Sequence, residues 1–210
     1  MDIDLLSLKQ NERYKLLTAL VIPRPIAWVT TRNSDGSINA APYSFFNVLG
    51  NKPPLVAIGP GERLDGALKD THRNIETQGE FVVNLVSERV AESMHRTAAP
   101  FPPGVSEVAA LGLEVGPSST VATPRLTACK VHLECTHHST TKIEENHVVF
   151  GIIRHMHVRD GILDETTLHV RPGAFDGVGR LEGPGWYCST KDRFDLGSFP
   201  TVESAVAGKR

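Results

Sequence analysis

The sequence lacks the short motifs that mark the most widespread nucleotide-binding and hydrolytic folds. Its 210 residues contain no GxGxxG segment after a strand, no GxxxxGK[ST] loop and no GxSxG turn. These absences remove the usual signals of a Rossmann dinucleotide site, of a P-loop and of a serine hydrolase. A nucleotide site in this chain would therefore need another scaffold.

The chain is also poor in cysteine and has no long apolar run. Its three cysteines, Cys129, Cys135 and Cys188, form no CxxC pair and are odd in number, so we expect reduced thiols in a cytoplasmic protein. No apolar stretch reaches the roughly 18 residues of a membrane helix. Acidic residues stand near the N-terminus, where a signal peptide would be apolar. We therefore predict neither a membrane span nor a secretory leader.

An excess of basic charge is missing as well. Lys and Arg number 22 against 24 Asp and Glu, whereas nucleic-acid binders usually carry a clear basic excess. The nine histidines include His137-His138 and the pair His155 and His157, but no third ligand follows at a fixed spacing, so we predict no metal site. With 40% hydrophobic residues a packed core is feasible, and we expect a single domain over residues 1–210.

Short apolar runs separated by turn residues dominate the chain. They predict strands at 25–31, 38–41, 55–58, 81–86, 128–138 and 147–158. Helical spacing predicts helices at 11–20, 68–75 and 87–96. Residues 98–125 are rich in Ala, Pro, Gly and Ser and form a long excursion. Strands joined by tight turns favour an antiparallel barrel or sandwich over a parallel doubly wound sheet.

Two segments combine the groups that a phosphorylated planar ligand requires. Residues 41–47 (APYSFFN) offer backbone N–H groups, a hydroxyl and aromatic walls directly after a predicted strand. Lys69, Thr71 and Asn74 lie at a predicted helix start, where free N–H groups and the helix dipole attract phosphate. The alternatives are an ordinary loop with core phenylalanines and a solvated helix face.

Three further features are candidates for ligand contact. Arg24 lies between two prolines, which hold it extended before a strand where it could reach an anion. His147 opens a predicted strand, and the glycine-rich residues 179–187 end in Trp186-Tyr187, a pair that could cover a flat ring. The alternatives are a surface arginine, a partly exposed strand-end histidine and a glycine-rich surface loop.

Taken in their order along the chain, several segments resemble the flavin reductase-like, FMN-binding split-barrel family, and in particular its flavoredoxin-type branch. The resemblance covers about residues 12–195 and is strongest before residue 90. The segments that carry it are Pro23 to Thr31, Asp35-Gly36, Asn39, Ala41 to Asn47, Pro53-Pro54, Lys69-Asp70-Thr71, Asn74-Ile75 and Gly79 to Leu85.

This resemblance implies a mainly β fold with short helices, a homodimer of six-stranded antiparallel split β-barrels, and a flavin near the dimer interface. The flavin would be FMN, with FAD as the alternative. By this likeness the flavin is lined by Thr30, Thr31, Tyr43, Ser44, Phe45 and Asn47, and its phosphate is bound by Lys69, Thr71 and Asn74. Apart from the likeness, the position of Arg24 makes it a candidate to reach an anion or a flavin carbonyl.

The resemblance also implies a reaction. Asn146-His147 is similar to the Asp-His segment that lies near the nicotinamide in reductase relatives, so His147 is the catalytic candidate, with Asn in place of Asp. The leading hypothesis is an NAD(P)H-dependent flavin reductase that supplies reduced flavin to a partner oxygenase or another acceptor. The alternatives are an electron carrier with tightly bound FMN, a non-catalytic flavin-binding module, and an oxidoreductase acting directly on an organic substrate.

Overall fold

Antiparallel strands form most of the regular structure in the computed structural model, which describes residues 1–63, 65–197 and 199–207. The strands are β1 (Arg24–Pro25), β2 (Ala27–Arg32), β3 (Ile38–Tyr43), β4 (Phe46–Asn51), β5 (Pro54–Ile58), β6 (Glu80–Leu85), β7 (Val115–Gly116), β8 (Arg125–Leu126), β9 (Val131–Ile143), β10 (Asn146–Val158), β11 (Val178–Arg180) and β12 (Tyr187–Ser189). The α-helices are α1 (Gln10–Leu20), α2 (Asp70–Gln78), α3 (Ala91–Arg96), α4 (Glu107–Leu111) and α5 (Val202–Ala207), and 3-10 turns lie at Leu5–Ser7 and Glu88–Val90.

A seven-stranded sheet of order β3-β2-β6-β9-β10-β5-β4 is the centre of the fold. Tyr43 ends one edge strand and Phe46 begins the other, so only two residues link opposite edges of the sheet. Three steps of extended chain span about 10 Å, whereas seven strands laid flat would separate the edges by about 29 Å. The sheet must therefore roll into a barrel, which stays split because the described residues form no ladder between β3 and β4.

The barrel encloses one hydrophobic core, and a second core covers its outside. Val29 on β2 and Phe81 on β6 point inward, together with residues from β5, β9 and β10. Trp28, the strand neighbour of Val29, points outward, where helices α3 and α4 and the tail strand β11 cover it. A Cβ at Gly151 on β10 would overlap the Phe81 ring, so glycine is required at this crossing. Both faces of the central strands are therefore buried.

The mainly β class that the sequence predicts is confirmed, and the strand count is corrected. We expected six barrel strands and treated residues 41–47 as a loop, but β4 begins at Phe46 and adds a seventh strand. Every residue of β4 after Phe46 is exposed, so this strand lacks the alternation of buried and exposed positions that marks the others. The predicted helix ending near Gly79 is confirmed, because Gly79 takes φ 72° directly after α2.

The excursion over residues 98–125 packs against the barrel as an ordered wall. It contains α4 and the small hairpin of β7 and β8. The Ser106 hydroxyl donates to the Ile38 carbonyl (2.5 Å), and the Ala40 N–H donates to the Glu107 carboxylate (2.9 Å). The wall is therefore bonded to β3. Cys129, Cys135 and Cys188 are free thiols. Among the described residues, no helix has both the length and the apolar character needed to cross a membrane.

Candidate functional site

A cavity of about 610 Å³ lies between β3, the start of α2 and the wall formed by the excursion. This volume falls in the range of small-molecule and cofactor sites. Its lining residues are Asn39, Ala41, Pro42, Tyr43, Glu62, Arg63, Asp65, Lys69, Asp70, Thr71, Thr97, Ala98, Ala99, Pro100, Phe101, Pro103 and Glu107. The predicted loop segment and the predicted helix start thus meet around one space.

The N-terminus of α2 opens onto this cavity. Lys69 is the N-cap residue, and its extended backbone (φ −65°, ψ 152°) makes no side-chain cap, so the first N–H groups of the helix are left for a ligand. The Lys69 ammonium lies 5.5 Å from the centre of the Tyr43 ring and forms no ion pair with any residue that the structure describes. Burial, together with nearby Arg63, lowers the pKa of Lys69. This end of the cavity favours an anion.

A hydrogen-bonded network behind the helix start joins three of the predicted residues. The Asn39 amide donates to the hydroxyls of Thr31 (3.2 Å) and Thr71 (2.9 Å). The Asn74 amide donates to Thr31 (3.1 Å) and to the Asn33 side-chain oxygen (2.7 Å). Of the three predicted residues in this network, Thr31, Thr71 and Asn74, Thr71 is the one that lines the cavity. Thr31 and Asn74 lie behind it, where they fix α2 to the β2–β3 hairpin.

Thr30 lies on the other face of β2 from Thr31. Its hydroxyl donates to the Pro124 carbonyl (2.8 Å) and accepts from the Asn84 amide (3.3 Å). Consecutive strand residues point to opposite faces, so the two threonines that we expected to line the flavin together lie on different faces of the sheet. The Thr30 side chain ties the excursion to the barrel and is not among the residues that line the cavity.

Arg24 is buried and engaged in holding the chain ends together. Its guanidinium donates to the carbonyls of Thr18 (2.5 Å), Val21 (3.0 Å) and Leu181 (3.0 Å), and to the Ser44 hydroxyl (3.3 Å). Four of its N–H bonds are therefore taken by the protein itself, and Arg24 is not part of the cavity lining. In this structure Arg24 links α1 and the segment around Leu181 to Ser44. Ser44 and Phe45 form the short connection between β3 and β4, which we call the barrel closure.

The remaining predicted residues border a second, more open depression of about 410 Å³. Phe45, Asn47 and His147 line it, and the Phe45 side chain is 49% exposed. Glu62 connects the two spaces, because it lines the main cavity while its carboxylate lies 3.7 Å from Nδ1 of His147. The predicted site residues therefore divide between two adjoining compartments, which we call the main cavity and the open depression.

Arg63 and Glu107 line the main cavity and were not expected from the sequence. The Arg63 guanidinium donates to the Asp70 carboxylate (2.6 Å) and to the Phe101 carbonyl (3.2 Å), while its Nε is buried without a partner among the described residues. Burial raises the pKa of Glu107. The sequence contains only weak signals for these two residues. Arg63 is a cation in a glycine-rich stretch, and Glu107 is the acidic first residue of a short helix that Ser106 caps.

Comparison with known proteins decides the family. The family profile described as flavin reductase like domain matches residues 19–179. The chain belongs to the flavin reductase-like family. A protein of Deinococcus radiodurans is 45% identical over 199 residues, covering 92% of this chain and 88% of the relative. The predicted family is thereby confirmed, and it makes the chain a flavin-related oxidoreductase.

Two solved structures are similar to this chain in sequence and in shape. The 2-nitrobenzoate 2-nitroreductase NbaA of Pseudomonas fluorescens is 40% identical, with 96% of this chain and 98% of that one covered and a TM-score of 0.87. Nitrilotriacetate monooxygenase component B of Bacillus cereus is 29% identical, with 93% and 98% covered and a TM-score of 0.86. This flavin reductase-like chain therefore matches both structures over nearly its whole length.

Proposed function

We propose that this chain binds FMN, or alternatively FAD, reduces it with hydride from NADH or NADPH, and supplies the reduced flavin to an acceptor such as a partner oxygenase. One observation carries the proposal. Around one cavity of cofactor size, in a chain of the flavin reductase-like family, three features meet: a helix N-terminus without a side-chain cap, a buried tyrosine, and a lysine that pairs with no acidic residue in the described part of the chain. The similarity to a monooxygenase component supports an oxygenase as the acceptor.

Buried polar atoms without partners support the fit of a flavin. The Tyr43 hydroxyl and Nε of Arg63 are both buried and have no hydrogen-bond partner among the described residues, yet both residues line the main cavity. An unpaired buried polar group costs about 1–3 kcal/mol. A ligand with several polar oxygens, such as a ribityl phosphate, would remove this cost.

The anionic end of the ligand has one suitable place. Lys69, Thr71 and the first N–H groups of α2 would bind the phosphate, because they combine a point charge, a hydroxyl and a positive dipole end. Arg63 is the other cation of the lining, but its terminal nitrogens are held by Asp70 and Phe101. Lys69 is thus the cation of the lining that is left for an anion.

The planar end needs aromatic walls and access for a second molecule. Tyr43 and Phe101 line the main cavity, and Phe45 and Asn47 border the open depression. A bound flavin would supply the hydride chemistry, while the protein positions it and sets its electrostatic surroundings. His147, 3.7 Å from Glu62, is suited to hold or release a proton at this border.

A homodimer is part of the proposal. Phe45, Val48 and Leu49 are exposed apolar side chains on the barrel closure and β4, and Leu17 adds to them from α1. The rings of Tyr14 and Phe45 pack edge to face, 6.2 Å apart, which makes the patch continuous. A contiguous apolar patch of this kind marks an interaction surface. It lies next to the open depression, so a second copy would complete the wall of that compartment.

Spectroscopy and turnover test the proposed function. The purified protein should give a flavin spectrum, or quench added FMN, and should oxidise NADH or NADPH when FMN is present. If FMN stays bound through gel filtration and the protein does not oxidise NAD(P)H, the electron carrier is favoured over the reductase. Bound flavin that no physiological donor reduces would leave only a binding module.

A second candidate function is favoured by one comparison. The 40% identity to a 2-nitrobenzoate 2-nitroreductase over 96% of this chain supports direct reduction of a nitroaromatic acid. The test is NAD(P)H oxidation with FMN under anaerobic conditions, with and without 2-nitrobenzoate. If 2-nitrobenzoate increases the rate of NAD(P)H oxidation and is itself consumed, direct nitro reduction is favoured over delivery of reduced flavin to an oxygenase.

A further inference from the structure

A row of four ionisable side chains runs from the protein surface to the border between the two compartments. In order they are Glu76, His72, His147 and Glu62. The Glu76 side chain is 42% exposed, whereas that of His72 is only 1% exposed. The imidazole rings of His72 and His147 lie 4.7 Å apart, centre to centre, at 58°.

Two unpaired atoms in this row need an explanation. Nδ1 of His72 and Nδ1 of His147 are both buried, and neither has a hydrogen-bond partner among the described residues. Buried polar atoms are nearly always paired, so such exceptions indicate function or a contact completed by a small movement. The ring separation of 4.7 Å allows a side-chain rotation to bring the two nitrogens together.

The tautomer of His72 follows from its surroundings. Nε2 of His72 lies 3.2 Å from a Glu76 carboxylate oxygen. Burial lowers the pKa of His72, the Glu76 charge opposes this shift, and His147 and His137 reinforce it. A neutral His72 carries one proton, which the Glu76 carboxylate holds on Nε2. Its Nδ1 is then a lone pair and can only accept.

We propose that His72, held by Glu76, is a positioning residue that fixes the tautomer of His147, the residue at the reacting border of the proposed reductase site. The buried Nδ1 of His147 has two acceptors nearby, namely the Glu62 carboxylate 3.7 Å away and the His72 lone pair, which a side-chain rotation would bring within hydrogen-bond distance. Its proton therefore resides on Nδ1. The Nε2 of His147 keeps its lone pair for a ligand in the open depression, and Glu62 stabilises the imidazolium once Nε2 has taken a proton.

Nitrogen NMR of histidine tests this inference without turnover. Protein labelled with ¹⁵N-histidine, with His147 assigned through His147→Gln, should show a protonated Nδ1 and an unprotonated Nε2 at the high-pH end of a titration. In Glu76→Gln and His72→Phe the His147 signal should move toward the other tautomer. The control is His138→Gln, an exposed histidine on β9, which should leave the His147 signal unchanged.

Kinetics then separates positioning from simple folding damage. Because the inference rests on the proposed function, Glu76→Gln should lower kcat for NAD(P)H oxidation by about tenfold and shift its pH profile, with little change in KM. This loss is smaller than the roughly 10²- to 10⁴-fold that a general acid–base contributes. A wild-type His147 protonated on Nε2, or a tautomer that neither variant changes, would overturn the inference. A tautomer shift in a protein that oxidises no NAD(P)H would uphold it and reject the proposed function.

Discussion

Replacing Lys69 gives the sharpest test of where a flavin phosphate would bind. Lys69→Met removes the ammonium but keeps an apolar stem over the Tyr43 ring, from which the charge now lies 5.5 Å. A lost charge-assisted hydrogen bond costs about 1.5–3 kcal/mol. At an effective dielectric of about 20, a full charge pair 4 Å apart is worth about 4 kcal/mol, which sets an upper limit. The affinity for FMN should therefore fall by about 10- to 150-fold.

Comparing FMN with riboflavin shows whether the affinity that Lys69→Met loses comes from a contact with the phosphate. It carries the same ring without the phosphate, so Lys69→Met should weaken FMN binding and leave riboflavin binding nearly unchanged in a fluorescence-quenching titration. The matched control is Lys191→Met, because Lys191 is exposed and forms a surface ion pair with Glu88, outside the main cavity lining. Equal losses for the two flavins, or no loss for FMN, would refute the phosphate site at Lys69.

Three further predictions concern stability and assembly. Burial raises the pKa of Glu134, but hydrogen bonds from Thr120, Ser119 and His157 outweigh burial and lower it from 4.5 to about 2. The resulting stabilisation, about 3 kcal/mol, is complete above pH 4.5 and is lost as the pH falls through 2. In urea unfolding at pH 7, Glu134→Gln should therefore have a lower free energy of unfolding than wild type, whereas Glu145→Gln, at an exposed position, should not. The difference between Glu134→Gln and wild type should be smaller at pH 3. Gly151→Ala should cost about 1–3 kcal/mol by overpacking against Phe81, seen as a lower midpoint in the same assay, and an unchanged midpoint would contradict the close crossing. Phe45→Asp should convert the proposed dimer into a monomer in light scattering; a monomeric wild type would remove the dimer.

Local patterns explain which parts of the site could be predicted from the sequence. Lys69 and Thr71 were recognisable because a helix start, a cation and a hydroxyl occur within three residues. The separation of Thr30 from Thr31 could also have been predicted, because the two-residue period of a strand sends neighbours to opposite faces. The family resemblance placed both threonines at the flavin, whereas the alternation of a strand puts them on opposite faces of the sheet.

Other residues could not be placed because long-range contacts position them. Glu107 reaches the cavity through a bond to the N–H of Ala40, 67 residues earlier in the chain. Phe101 is in the lining because its carbonyl binds Arg63 across 38 residues. Neither the excursion nor the 59–66 stretch has a periodic apolar pattern, so no local signal could indicate which side chains face the cavity.

The barrel closure explains why the site has two compartments. Tyr43 ends β3 inside the main cavity, and Phe45, two residues later, borders the open depression. The Ser44 hydroxyl between them accepts a hydrogen bond from the buried Arg24, which also donates to carbonyls of Thr18 in α1 and of Leu181, so the barrel closure is tied to both of those segments. The charged groups therefore stay on one side of the link and the exposed aromatic surface on the other. A ligand with an anionic tail and a planar reactive ring matches this division, because each end finds its own chemistry, and Glu62 and His147 meet where the two ends would join.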